Sequence, residues 1–187
     1  MPRFSGAHAG HVILAGMTLL SRTGYRLRQF RNALFHSRQR VENEVLVPHL
    51  NPTQIMLFRQ MQASEQAHAW QVLRHLEAAG QTDADLLAAA LLHDVGKIQS
   101  PLSIFDRVTI VLGNRFLPRL ARRWGQGTAR GLRRPFVVAA CHADWGAELA
   151  ARAGASPRTC ELIRRHQNAP GSQDMLLSAL QAADDES

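Results

Sequence analysis

The sequence predicts an all-α protein, a single helical bundle of about 6–8 helices preceded by a basic amphipathic helix. Three observations predict it. No stretch of the 187 residues alternates apolar and polar side chains as a half-buried strand does. Helix-start pairs recur, Asn51-Pro52 and Ser156-Pro157 among them; each joins a capping side chain to a proline pre-set for the first turn. The gaps between helix-length apolar stretches are short, which makes successive helices antiparallel neighbours.

In chain order, residues 1–50 read as a basic N-terminal segment and residues 51–187 as the helical domain. Residues 25–36 put Leu27, Phe30 and Leu34 at helical spacing with Arg between them. This amphipathic helix is expected to dock on the domain with a solvated basic face; a nucleic-acid or membrane-surface contact is the alternative. Asn51-Pro52 opens the domain. Ser64 is expected to cap a helix ending at Gly80, a C-terminal glycine. Thr82 or Asp83 starts the next, over residues 86–95, which stops at Gly96. Pro101 opens a segment through Leu112, a further helix covers about residues 115–124, and residues 125–131 form a loop. Pro135 starts a long helix to Ala153, ended by Gly154. Ser156-Pro157 starts one that reaches about His166. Pro170-Gly171 breaks the chain, and residues 174–184 make the last helix.

Composition narrows the class. Apolar residues make up 45% and charged residues 20%, as in a folded domain rather than a disordered chain. No apolar run approaches the ~18 residues a membrane span needs. The apolar stretch 11–20 lacks a small-residue cleavage site, so no secretory signal is expected. Two cysteines, Cys141 and Cys160, are too few for a disulfide scaffold and fit a reduced, cytoplasmic setting. The formal charge of +7 is unevenly placed: residues 1–40 hold seven Arg and residues 107–134 hold eight, and neither segment has an acid. Lys97 is the only lysine among 22 basic residues.

The chemistry is expected around Leu-Leu-His93-Asp94-Val-Gly96-Lys97. Adjacent helix residues point about 100° apart. His93 and Asp94 therefore reach one ion only at a helix end, which Gly96 is expected to supply. An imidazole with a carboxylate suits a first-row divalent metal. Further candidates sit on neighbouring helices: His68 on a stripe with Val72 and His75, His142 on a face with Val138, Trp145 and Leu149, His166 at a helix end, and Asp184 at the end of the last helix. Five successive helices thus each offer a ligand type. Cys141 and His142 diverge on their helix and make no nucleophile–base pair.

The order His68 … His93-Asp94 … Asp184, with Ala-Ala-Leu-Leu-His-Asp-Val-Gly-Lys around the dyad, resembles the HD-domain metal-dependent phosphohydrolases, from about Gln66 to Asp185. Three further segments resemble a subgroup with extra histidines that includes the HD-GYP phosphodiesterases. They are His142-Ala-Asp-Trp-Gly-Ala-Glu-Leu-Ala, Leu162-Ile-Arg-Arg-His166-Gln and Leu180-Gln-Ala-Ala-Asp184-Asp. The Gly-Tyr-Pro of that group is absent, since Gly96-Lys97-Ile98 follows the dyad. Arg165-His166 stands where that group has His-His, and Gln167 where Glu is common.

The resemblance implies an HD-domain bundle and a role for each matched residue. His68, His93, Asp94 and Asp184 would be the core metal ligands. His142 and His166 would ligate a second metal or orient the substrate phosphate. Asp94 would bridge two ions and carry the catalysis, and Lys97 would lie beside the phosphate. His75 competes with His68, and Asp185 with Asp184; family spacing and the Ala-Asp context favour His68 and Asp184. One or two divalent ions per chain (Mn, Fe, Co, Ni, Zn or Mg) are implied. They would activate water against a phosphomonoester or phosphodiester, with a nucleotide as the expected substrate. Arg165 and arginines of residues 107–134 are candidates for holding further phosphates. The alternative is a non-catalytic regulatory HD-like module that binds a nucleotide or protein partner.

Overall fold

The stretch Ala-Asp-Leu-Leu-Ala-Ala-Ala-Leu-Leu, residues 84–92, is apolar almost all round, and such a helix must be surrounded. In the computed structural model it is: every residue from Leu86 to Leu92 is buried. The structure describes residues 41–168 and 173–187, all within the unit His36–Ser187. The expected helix at 25–36 and the Pro170-Gly171 break lie outside the described residues.

Among the described residues there are nine α-helices, two 3-10 turns and no strand. The helices are α1 (Asn43–Leu46), α2 (Pro52–Phe58), α3 (Ala63–Ala78), α4 (Ala84–Leu92), α5 (Ile104–Phe116), α6 (Pro118–Gly125), α7 (Arg134–Arg152), α8 (Pro157–Arg165) and α9 (Met175–Glu186). The 3-10 turns are Val95–Gln99 and Gly131–Arg133. Helix α4 is the axis, with α3, α8 and α9 packed around it. Helix α7 packs on α8 and on the 3-10 turn that follows α4. Val41, Leu46 and Leu50 enter the same core as Leu73, Leu91 and Ile163. Each fully buried Leu there stabilises the fold by about 1.5–3 kcal/mol.

The capping signals locate most boundaries. Asn51 accepts from the Gln54 N–H and Gln54 returns the bond. Asp83 accepts from Leu86, Ser156 from Thr159 and Asp174 from Leu177, each satisfying an N–H that the helix cannot. Gly80 and Gly154 follow their helices at φ +77° and +78°, where glycine avoids the Cβ clash.

Three expected boundaries move. Helix α3 begins after Gln62, which makes no side-chain cap; the Ser64 hydroxyl instead accepts a bond from Arg107. Helix α5 begins after Ser103, in a capping box with Asp106, rather than at Pro101. It continues past Leu112 to Phe116, so the next helix starts at Pro118 and not near Arg115. The break falls at Leu117, φ −133° and ψ 51°, because a residue before proline is driven out of the helical region.

Candidate metal centre

Helix α4 ends at Leu92, and His93 and Asp94 occupy the junction with the 3-10 turn. Asp94 sits at φ −96°, ψ 1°, in the sparsely used bridge region. This bend brings both side chains to one side, with His93 Nε2 3.6 Å from Asp94 Oδ2. The helix ends at Leu92, three residues before the expected Val95, and Gly96 does not stop it but lies in the 3-10 turn. A Cβ on Gly96 would lie 1.9 Å from the His142 carbonyl oxygen and 2.6 Å from the Gly146 nitrogen. The glycine admits α7, and with it His142, against the dyad.

The other expected residues arrive from separate helices. His68 comes from α3, with Nε2 2.9 Å from Asp184 Oδ1 of α9. Asp184 Oδ1 is also 3.6 Å from His93 Nε2. His142 Nε2 is 3.3 Å from Asp94 Oδ1. His166 follows α8, with its ring 5.1 Å from that of His93 and 5.4 Å from that of His142. Two triads result: His68, His93 and Asp94, and Asp94, His142 and His166. In each, one ligand atom per residue lies within 4.8 Å of the others, and Asp94 belongs to both. His75 instead turns to the chain end, where Nδ1 is 3.2 Å from Ser187 Oγ. Asp185 is exposed. Of the two open pairs, His68 and Asp184 are the members that lie beside the dyad.

The three buried histidines are oriented alike. His93 Nδ1 is 2.9 Å from the Ala90 carbonyl, His142 Nδ1 2.8 Å from that of Val138, and His166 Nδ1 2.7 Å from that of Ile163. A carbonyl only accepts, so each Nδ1 carries a proton and each Nε2 is turned inward. His93 Nε2 and His142 Nε2 are buried without a hydrogen-bond partner. They face carboxylate oxygens of Asp94, at 3.6 Å from His93 and 3.3 Å from His142. Only a proton or a cation between them resolves this. Burial lowers the affinity of His93 for a proton and pushes His166 down to about 3. A neutral nitrogen–carboxylate set of this kind fits a first-row divalent ion.

The carboxylates are held ionised. Burial alone would raise Asp94, but Lys97, His93 and His142 hold it well below the usual carboxylate range. Asp184 is likewise lowered despite burial, by His93 and His68. Lys97 donates to Asp94 Oδ2 and is partly exposed at the mouth of the cluster. Burial raises the thiol of Cys141, the opposite of nucleophile activation.

The arginines take specific partners. Arg165 pairs with Glu161 at 2.6 Å and Asp174 at 3.4 Å. Arg134 ties Asp106 to Ser100 and the Pro101 carbonyl. Arg107 Nη2 lies 3.0 Å from Glu65 Oε1. Glu65 is a residue the sequence reading missed. It is buried at 2% exposure, one helical turn before His68, and its charge feels Lys97 and Asp94. Its spacing of three from His68 was the available signal, since that places both on one face.

An HD domain family model matches residues 66–186. The chain therefore belongs to the HD domain family, whose members are mostly metal-dependent hydrolases. No curated protein and no solved structure matches it. Among the described residues, no helix is long and apolar enough to cross a membrane.

Proposed function

We propose that this protein is a metal-dependent phosphohydrolase that cleaves a phosphomonoester or phosphodiester, with a nucleotide as its substrate. The convergence of two ligand triads on Asp94, with the inward Nε2 atoms of His93 and His142, carries the reading. In it, His68, His93, Asp94 and Asp184 hold one divalent ion, and Asp94, His142 and His166 hold a second or meet the substrate phosphate. A divalent ion there supplies Lewis acidity toward phosphoryl oxygens and makes a nucleophile of water at neutral pH.

The chain's own groups do the remaining work. Asp94 stays ionised beside Lys97 and so remains a ligand. The Ala90, Val138 and Ile163 carbonyls fix which ring nitrogen faces inward. Lys97, partly exposed at the mouth, offers an ammonium to the developing phosphoryl charge. The nucleotide as substrate rests on the resemblance of the dyad segment and the extra-histidine segments.

The test is elemental analysis of protein purified without a chelator or metal-affinity tag. A hydrolysis screen over nucleotides and simple phosphodiesters with the bound ion follows. About one or two equivalents of a divalent metal, with turnover lost in Asp94→Ala, is expected. Bound metal without turnover of any phosphoester would favour the regulatory-module reading, and no metal after soaking in each ion would overturn the site.

A further inference from the structure

Helix α5 contributes no buried residue to the fold. Its inner side holds by a few contacts: Arg107 on Glu65, Asp106 on Arg134, and Gly113 against the Phe136 ring. Ile110 lies half-buried on that side and Val108 is half-buried as well, while the other apolar residues point outward. Ile104, Phe105, Val111, Leu112 and Phe116 share one outward arc and are exposed, Phe105 at 83% and Phe116 at 71%. Leu117 and Leu132 extend the exposed apolar surface. A helix docked on a domain turns its apolar face inward; this one leaves five of its apolar residues exposed.

The surroundings of that face are cationic. Arg115 lies within the arc, and Arg119, Arg122 and Arg123 are exposed on α6. Residues 107–134 hold eight Arg and no Asp or Glu. We propose that α5 and α6 form a docking surface for an anionic lipid bilayer, with α5 lying in the interface plane. Thirteen residues make a helix of about 20 Å, short of the ~30 Å hydrocarbon core, so it lies on the bilayer and does not cross it. The combination is that of an interfacial helix: an apolar face for the acyl boundary, and arginines for the headgroup phosphates.

Charge complementarity selects the occupant. A second copy would set the same arginines against each other. A nucleic-acid backbone would satisfy the arginines but leave the aliphatic and phenyl side chains against phosphate and water. An anionic bilayer satisfies both parts.

The experiment is co-sedimentation of the full chain with vesicles of phosphatidylcholine alone and of phosphatidylcholine with phosphatidylglycerol. Binding to the anionic vesicles only, weakening as salt rises, is expected. The double variant Phe105→Ser/Phe116→Ser changes two exposed side chains and should keep the wild-type circular dichroism while reducing partitioning at least about tenfold. Arg119→Ser should weaken it about fivefold. Four results would overturn the proposal. The first two are no vesicle binding, and wild-type partitioning by the double variant, which would place the contact elsewhere. The others are tighter binding to an oligonucleotide that the double variant retains, and a solution dimer that the double variant dissociates.

Discussion

Gly96 and His142 meet backbone to backbone: a single methyl on Gly96 would sit 1.9 Å from the His142 carbonyl oxygen. This contact clamps the turn after the dyad to the helix that supplies the second triad. Gly96→Ala must push α7 away, since the obstruction is backbone and cannot rotate aside. A destabilisation of about 1–3 kcal/mol is expected, with loss of metal stoichiometry. Urea melts and elemental analysis of the variant check it. Gly146→Ala meets the Gly96 nitrogen at 3.1 Å and Ile163 Cγ2 at 3.3 Å, and its effect should be smaller.

Asp94 belongs to both triads, whereas His68 and His142 each serve one. Asp94→Ala should therefore remove all bound metal, and His142→Ala should remove at most the second equivalent. Helicity should be retained in both. Equal stoichiometry in Asp94→Ala and wild type would contradict a shared carboxylate.

Lys97 donates to Asp94 from the rim of the cluster. Its role in the proposed reaction is a charge toward the phosphate, and a bound cation would itself keep Asp94 ionised once Lys97 is removed. Lys97→Ala should keep the metal and lower turnover by one to two orders of magnitude, roughly what one lost electrostatic contact costs. Wild-type turnover would remove Lys97 from the mechanism.

Acid should destabilise the metal-free protein, and the sign follows from the histidines. Their ordinary value is 6.5, and burial lowers His93 and brings His166 to about 3. Below about pH 6.5 the unfolded chain takes up protons that the folded chain refuses, so stability falls as pH drops from 6.5 toward 3. Asp94 and Asp184 are lowered from 3.8; their contribution is intact above 3.8 and is lost only below it. Glu65, raised from 4.5 by burial, opposes the trend. The urea midpoint in chelator should fall between pH 7 and pH 5, and bound metal should flatten the fall. A midpoint that rises on acidification would show these histidines to be charged in the fold.

Glu65 joins α3 to α5 through Arg107. Glu65→Ala removes the charged and nearest acceptor of a half-buried guanidinium, leaving it Gln62 and Ser64 at 3.4 Å, and should cost about 1 kcal/mol. Glu65→Gln keeps an acceptor for Arg107 and should cost less. Paired urea melts separate the two, and equal losses would mean that the bond to Arg107 contributes nothing.

The all-α class, most helix starts and the histidines and aspartates that cluster at the end of α4 were legible in the chain. Caps such as Asn51, Asp83 and Ser156 act within three residues, and apolar periodicity acts within a turn, so a sequence window contains the whole cause. The same local reasoning misplaced the start of α5. Ser103 with Asp106 outranked Pro101, because a reciprocal capping box satisfies two groups where proline only spares one.

By itself, the sequence determined that a His-Asp dyad ends an apolar helix and that other helices bring histidines toward it. The resemblance already favoured His68 over His75 and Asp184 over Asp185; the tertiary structure adds that His68 and Asp184 meet each other beside the dyad, through contacts across more than a hundred residues. It also gave Gly96 its purpose, a close approach to α7 rather than a helix stop, and brought in Glu65. It left five apolar residues of α5 exposed as well. Periodicity shows that a helix has an apolar face; only packing decides what, if anything, that face meets.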